Sequence, residues 1–281
     1  MLETTERQRA ALDSMHGTMA LVQFLAIRDQ AAFEAYRSAS ERAVIEVGGK
    51  RTHDAHIDQI LAGGDLHYQV VTVDLFPSSK TLQTAFDALS AERGAALSEI
   101  YALVVRPTAR LPQIVKGLGF LAPLFSQWLG TTSEREMTGF AELANQETGP
   151  IPETIAVLRE HDQTTPFYMM NLNKYYPRAQ YHNAEDISGE QAYNRYSARI
   201  LPYLVSVGGY PSIIGHNLGI FVGDESSALH DDWSEFAMVY YPSRQNFIKM
   251  MTNSPKKGVY HRDAGLQRAV LMPSSDFSEC Q

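Results

Sequence analysis

The sequence is poor in cysteine, in positive charge and in long apolar runs. Its 281 residues include one cysteine, Cys280, so no disulfide can form within the chain. A reducing compartment, the cytoplasm, is predicted, and an exported protein is the alternative that the lack of cysteine also fits. There are 24 lysine and arginine residues against 32 aspartate and glutamate residues, a formal net charge of −8. Because a nucleic-acid-binding surface needs a basic face, no nucleic-acid partner is predicted.

No stretch of the sequence is long enough to cross a membrane. The most apolar region, residues 114–129, is interrupted by a lysine, two glycines and a proline, and a transmembrane helix needs about 20 apolar residues. The sequence also lacks the GxGxxG, P-loop, GxSxG, HExxH and CxxC motifs. Neither a nucleotide cofactor nor a serine-hydrolase or thiol-redox site is therefore indicated, and we predict no cofactor and no metal.

A predicted helix, a pair of glycines and a predicted strand occur twice in the sequence. Residues 33–63 align without a gap with residues 193–223, and seven of the 31 positions are identical. The pairs Gly48-Gly49 and Gly208-Gly209 end the two helices, since glycine accepts the left-handed conformation common after a helix. Such a repeat predicts two copies of one structural unit.

Each copy is predicted to follow the order β-α-β-β-α-β, the ferredoxin-like arrangement. The first copy is predicted over residues 20–108 and the second over 166–274, with an N-terminal arm (1–19), a helical connector (109–165) and a short tail (275–281). Two helices would cover one face of each sheet and leave the other, apolar face bare, which soluble monomers rarely tolerate.

The predicted fold class is therefore α+β, with the two bare sheet faces meeting to close a barrel around a central cavity. The alternative is that each half pairs with its twin in another subunit.

The connector has a composition of its own. It contains the apolar run 114–129 and a capping-box pattern, Ser133-x-x-Glu136, that predicts a helix to Ala144. It is too apolar for a free linker, so we expect it to pack against a sheet or against a partner subunit. A homodimer formed through residues 111–145 is one interpretation, and contact with a membrane surface is the alternative.

Several motifs, mostly in the second half, resemble the dimeric α+β barrel superfamily, and within it proteins related to EthD-like and antibiotic-monooxygenase-like domains. The motifs are residues 167–173, Ser206-Val207-Gly208-Gly209, Asp232-Trp233, residues 240–244 and His261-Arg262-x-x-Gly265-Leu266. The likeness covers residues 167–273 and, less closely, 20–107. The superfamily hosts cofactor-free monooxygenases, isomerases, cyclases, decarboxylases and haem enzymes. The resemblance therefore implies a fold, and a site either between sheet and helices or inside the barrel, but no single reaction.

Two histidines occupy equivalent positions of the repeat. His56 and His216 lie in the second predicted strand of each copy, and a histidine near neutral pH can act as acid, base or ligand. In the first copy Asp54, His56 and Asp58 alternate and would share one face. That face is interpreted as a polar pocket wall, a metal site or a solvent-facing edge.

A polar triplet, Tyr260-His261-Arg262, precedes the last predicted strand of the second copy, and in the first copy it aligns with Gly94-Ala95-Ala96. Polar groups present in one copy only suggest a site in that copy. We expect His261 to act as a general base oriented by Asp263 or Asp231, and Arg262 to bind a carboxylate or enolate oxygen. The alternative is a solvated surface turn.

The remaining candidates are polar and aromatic side chains of the second copy. Asn171 and Asn173 would project amides from one strand face, where they would either line a wet cavity or bond the loop 174–189. The aromatic groups would suit a flat ligand or belong to the core. The predicted catalytic residues are His261, His216, Arg262 and Asp232, and the predicted substrate-binding residues are Asn171, Asn173, Tyr168, Tyr196, Trp233, Tyr240, Arg244 and His56.

Together these features predict a small-molecule enzyme that works without a nucleotide cofactor. It would carry out proton transfer of the isomerase, cyclase or cofactor-free monooxygenase type on a hydrophobic or aromatic substrate. Two alternatives remain at this stage: a non-catalytic binding or scaffolding protein that uses the apolar connector, and a haem-binding α+β barrel protein.

Overall fold

The computed structural model describes residues 2–108, 111–134, 148–182 and 185–277. The elements of the first half are α1 (Glu6–Asp13), β1 (Met19–Ile27), α2 (Gln30–Glu46), β2 (Lys50–Ile57), β3 (Val70–Phe76), α3 (Ser79–Asp87), α4 (Ser90–Ala96) and β4 (Leu97–Pro107). The connector holds α5 (Leu111–Gly117), a 3-10 turn (Leu118–Leu121), α6 (Ala122–Leu129) and α7 (Pro152–Glu160). The second half holds β5 (Phe167–Tyr175), α8 (Gly189–Ser206), β6 (Tyr210–Val222), β7 (Glu235–Tyr241), α9 (Arg244–Asn253), α10 (Lys256–Gly265) and β8 (Leu266–Asp276).

The long helix of each half begins at a side-chain cap and ends at the predicted glycine pair. The Asp29 carboxylate accepts a hydrogen bond from the Ala32 amide (2.7 Å) at the start of α2, and the Ser188 hydroxyl does the same for α8. Both helices end before a glycine with positive φ, Gly48 (78°) and Gly208 (77°). Because the same local signals occur in both halves, the same helix forms twice.

The eight strands form a closed barrel in the order β1-β3-β2-β8-β5-β7-β6-β4. Within each half the sheet is antiparallel, and the halves join where β2 pairs with β8 and β4 pairs with β6. The predicted α+β barrel of two β-α-β-β-α-β units is thus confirmed. None of the described helices is long and apolar enough to span a bilayer.

The inside of the barrel is a packed core and not the predicted central cavity. Side chains from both sheets interdigitate there, among them Phe24, Tyr101, Met170, Trp233 and Phe236, all at most 2% exposed. Inward positions on nearly every strand carry a large apolar side chain, so the two faces fill the space between them.

Two local expectations differ from the structure, and a third lies mostly outside the residues that it describes. The triplet 260–262 lies in helix α10 and not in a turn, and residues 90–96 form the corresponding helix α4. Strand β8 continues to Asp276, paired with Ala55 of β2, so the beginning of the predicted tail is strand. Most of the helix predicted from Ser133 to Ala144 lies outside the described residues.

Candidate active site

A cavity of about 530 Å³ lies between the sheet of the second half and the helices that cover it. Its apolar walls come from strands β5 to β8 and from helices α8 and α9, and they include Met169, Ile200, Leu204, Val239, Phe247 and Met251. Its polar lining includes Asn171, Asn173, Tyr193, His216, Glu235 and Arg262. A largely apolar cavity with a few polar groups is typical of a small-molecule site.

The equivalent space in the first half is filled. A cavity of only about 20 Å³ remains there, next to Asp74, which is 1% exposed and accepts a hydrogen bond from Arg51 Nε at 2.8 Å. Arg51 and Asp74 are register partners in β2 and β3, and the partners at the same places of β6 and β7 are Pro211 and Val239. Because two shorter apolar side chains replace a long ion pair, space opens in the second half only.

Three polar side chains meet at one end of the cavity, and we call Asn173, Tyr193 and Glu235 the polar trio. The Asn173 amide donates to the Tyr193 hydroxyl at 3.2 Å and to Glu235 Oε1 at 3.3 Å. Asn173 is 1% exposed, and burial raises the pKa of Tyr193, so the phenol keeps its proton. The trio is therefore a connected hydrogen-bonding group beside an apolar space.

The first half carries apolar residues at the three positions of the trio. Asn173 and Glu235 are register partners in β5 and β7, as Leu25 and Val70 are in β1 and β3. Tyr193 corresponds to Phe33 in the repeat of residues 33–63 and 193–223. The counterparts Leu25, Phe33 and Val70 are each at most 1% exposed. The fold therefore forms without polar groups here.

Burial raises the pKa of Glu235 above its ordinary value of 4.5, and the Tyr175 hydroxyl, the hydrogen bond from Asn173 and the charge of His216 offset only part of this effect. His216 is the register partner of Glu235 on β6. A carboxyl group whose pKa is shifted toward neutrality can take up and release a proton, as a general acid or base does.

Sequence reasoning missed Glu235 and Tyr193. The signal for Glu235 was its place at the start of an otherwise apolar strand, opposite an asparagine.

Glu235→Gln should change how stability depends on pH. With its raised pKa, the folded chain retains a proton on Glu235 at pH values where the unfolded chain has released it. The stability contributed by this group is therefore fully present below the unfolded pKa and is lost as pH rises through the folded pKa. Since glutamine stays neutral, the unfolding free energy of the variant at pH 8 should exceed that of the parent by about 1 kcal/mol. At pH 4 the variant should have no such advantage.

Urea unfolding of both chains at the two pH values checks this expectation. Glu190→Gln is the matched control, because Glu190 also lines the cavity but is exposed. An equal difference in unfolding free energy at pH 4 and pH 8 would contradict the assignment.

Arg262 reaches the cavity, and it has a counterpart in the first half. Arg262 lies four residues before β8 and Arg93 four residues before β4, so the alignment with residues 94–96 was displaced. Both are buried, at 5% and 0% exposed. Each bonds the segment that precedes its own half: Arg262 donates to Thr148 Oγ1 (3.3 Å) and Arg93 to the Leu2 carbonyl (2.9 Å). The arginine is therefore not confined to one copy.

The other two predicted catalytic residues lie away from the cavity lining. His261 is on α10, with its Nδ1 2.6 Å from the Tyr181 hydroxyl, and burial together with nearby arginines lowers its pKa. Asp232 is exposed in the segment before β7. The structure thus brings His216 and Arg262 to the cavity, together with Asn171, Asn173 and Tyr196.

Three aromatic candidates pack elsewhere. The Trp233 indole donates to the Leu229 carbonyl at 2.7 Å and belongs to the barrel core. Tyr240 stacks on Tyr210, with ring centroids 4.8 Å apart, and contacts Tyr168 edge-on. Their described contacts are those of structural packing.

Arg244 and the first-half histidine lie where the two halves meet. The Arg244 guanidinium donates to Asp58, to Ser275 Oγ (3.0 Å) and to the Asp162 carbonyl (2.9 Å). His56 packs on Phe277, with ring centroids 3.8 Å apart. Within the described ranges, no cluster of three or more His, Cys, Asp or Glu side chains could hold a metal ion.

Comparisons with known proteins give distant structural matches. No family model and no curated protein matches the chain. Similar solved structures include a protein of unknown function from Rhodopseudomonas palustris, 26% identical over 45% of this chain and 94% of its own, with a TM-score of 0.40. A chlorite dismutase variant from Candidatus Nitrospira defluvii is 11% identical over 96% of both chains, with a TM-score of 0.44. A monooxygenase candidate from Lactobacillus acidophilus is 7% identical over 92% of this chain and 94% of its own, with a TM-score of 0.45.

The strand order of the chain itself defines its fold. Two β-α-β-β-α-β units join edge to edge. Their strands form one closed eight-stranded barrel, and the helices lie outside it. The chain has the fold of the dimeric α+β barrel superfamily, with both halves of the barrel in one polypeptide.

Proposed function

We propose that the second-half cavity binds a small hydrophobic or aromatic molecule that carries a polar oxygen, and that Glu235 transfers a proton to and from it. The observation that carries the proposal is the replacement of the buried apolar set Leu25, Phe33 and Val70 by the polar trio beside an open cavity. Buried polar groups cost stability and the fold does not need them, so their presence favours a functional role.

The chemistry follows from the groups that line the cavity. The Glu235 carboxylate would remove a proton from a carbon next to a carbonyl, and the electron pair of the C–H bond would move to the oxygen as an enolate. The Tyr193 hydroxyl, whose oxygen accepts a hydrogen bond from Asn173, would donate its own hydrogen to that oxygen, and the Arg262 guanidinium lines the same cavity. Return of the proton from Glu235 to another carbon would complete an isomerisation. In a cyclisation the enolate carbon would attack a second carbonyl, and the resulting alkoxide would take the proton from Glu235.

Solvent deuterium exchange into aromatic carbon acids tests the proposal. A panel of aryl ketones and polyphenols is incubated with the full chain in D₂O, and loss of the C–H signal is followed by NMR. Glu235→Gln should slow exchange by about 10²- to 10⁴-fold, while Glu190→Gln, which alters an exposed carboxylate of the same cavity, should exchange like the parent. Equal exchange by the parent and Glu235→Gln would refute the assignment.

The non-catalytic alternative predicts a different result in the same experiment. A binding protein would retain a panel compound with comparable affinity in the parent and in Glu235→Gln, without exchange by either. Binding by the parent without exchange would therefore remove the catalytic step and leave the cavity as a ligand site.

Haem binding is a second candidate, favoured by one observation. His216 lines the cavity and has Glu235 as its cross-strand partner, and histidines that ligate iron commonly donate their other N–H to a carboxylate or carbonyl. The His216 side chain is exposed at the cavity lining, so its ring is accessible to an iron atom. Added haemin should then give a Soret band in the parent that is lost in His216→Ala, and a parent that gives no shifted band would exclude this candidate.

A further inference from the structure

The connector carries an exposed apolar surface on the two short helices that follow the first half. We call Ile114, Leu118, Phe120, Leu124 and Trp128 the connector patch. Their exposed fractions are 60%, 37%, 77%, 65% and 78%. Helices α5 and α6 are held in place by their other faces, since α5 packs on β6 and α6 on α8. The patch is therefore presented by anchored helices and not by a free arm.

The size of the patch matches one side of a protein interface. Phe120 and Trp128 expose about three quarters of their surface, which is roughly 300 Å² for aromatic side chains of this size. The three aliphatic side chains add about 150 Å². A stable interface buries about 800 Å² per partner, and roughly 65% of a homodimer interface is apolar. The patch alone supplies most of that apolar area.

The charge of the patch favours a protein partner over a lipid surface. Residues 111–129 contain a single charged residue, Lys116, and its ammonium lies 5.1 Å from the centre of the Tyr210 ring. Helices that lie on membranes typically carry several lysines or arginines on their polar face, and this chain has a net charge of −8. An uncharged patch can meet an identical patch without electrostatic repulsion.

We propose that the connector patch pairs with the same patch of a second copy of this chain, in a twofold homodimer. In such an interface each residue contacts the partner's equivalent surface, so a self-complementary apolar patch is sufficient. The two most exposed aromatic side chains, Phe120 and Trp128, are the expected anchors, because aromatic groups dominate binding energy at interfaces. This inference does not depend on the chemistry of the cavity.

Sedimentation velocity of the full chain across a concentration series tests the proposal. The parent should sediment with twice the 31.3 kDa mass of one chain. The double variant Phe120→Glu, Trp128→Glu should sediment as a monomer at the same concentrations, with the dimer dissociation constant raised at least about 100-fold. Circular dichroism of both chains shows whether the variant remains folded.

Two single substitutions form a matched pair on different surfaces. Ile114 and Ile45 are each 60% exposed, but Ile45 lies on helix α2 of the first half. Ile114→Glu should weaken the dimer, whereas Ile45→Glu should leave it unchanged. A monomeric parent, or a dimer that survives the double substitution, would overturn the proposal. Co-flotation of a monomeric parent with phosphatidylcholine vesicles, mediated by the connector patch, would also overturn the proposal. It would identify the patch as a membrane contact.

Discussion

The triple variant Asn173→Leu, Tyr193→Phe, Glu235→Val is expected to lose proton-transfer activity while gaining stability. These substitutions give the second half the residues that the first half has at the same positions. With the carboxylate, the Asn173 amide and the Tyr193 hydroxyl removed, exchange should fall by at least about 10³-fold. Because the variant no longer buries a carboxyl group, its unfolding free energy at pH 8 should rise by about 1–2 kcal/mol.

Deuterium exchange by NMR and urea unfolding at pH 8 measure the two effects on the same samples. The mirror-image control is Val70→Glu, which places a carboxyl group at the first-half position of Glu235, where Val70 is 0% exposed. It should destabilise the chain by about 3 kcal/mol or more, since the filled first half has no space to solvate the charge. Undiminished exchange by the triple variant would show that the trio is not the site.

Arg244→Met is expected to cost about 3–5 kcal/mol of unfolding free energy. The guanidinium of Arg244 and the carboxylate of Asp58 form an ion pair whose side chains are 4% and 10% exposed. Asp58 follows β2 of the first half and Arg244 begins α9 of the second, so the pair joins the two halves. Removing one partner leaves the other charge buried without compensation, and that is the source of the large cost.

Chemical denaturation of the variant and of Arg9→Met checks this expectation. Arg9 pairs with Asp87 at 2.8 Å, but these side chains are 35% and 40% exposed. Because solvent screens such a pair, its loss should cost no more than about 1 kcal/mol. Similar losses in the two variants would show that Arg244 does not join the halves as described.

The sequence was most informative where the signals are local. The glycines after the two long helices and the β-α-β-β-α-β order were predicted from short-range chemistry. The same holds for the equivalence of His56 and His216, which occupy matching register positions opposite Val70 and Glu235. A gapless alignment preserves register, so it located these histidines correctly.

The helix before the last strand of each half was not predicted from the sequence. These helices span residues 90–96 and 256–265. Without the helix, the triplet 260–262 was aligned with residues 94–96, and Arg262 was separated from its true counterpart, Arg93. Their shared position four residues before the last strand, and the burial of both side chains, show that they are equivalent.

The sequence by itself determined the two-copy α+β architecture, because helix caps, glycine stops and alternating apolar strands act over a few residues. The tertiary structure alone decided that the barrel interior is filled and that the cavity lies outside the sheet of the second half. That outcome depends on whether side chains far apart in sequence fill the space between sheet and helices. Arg51 and Asp74 fill it in the first half, whereas Pro211 and Val239 leave it open in the second. The polar trio likewise joins three separate elements, so no single stretch of sequence could reveal it.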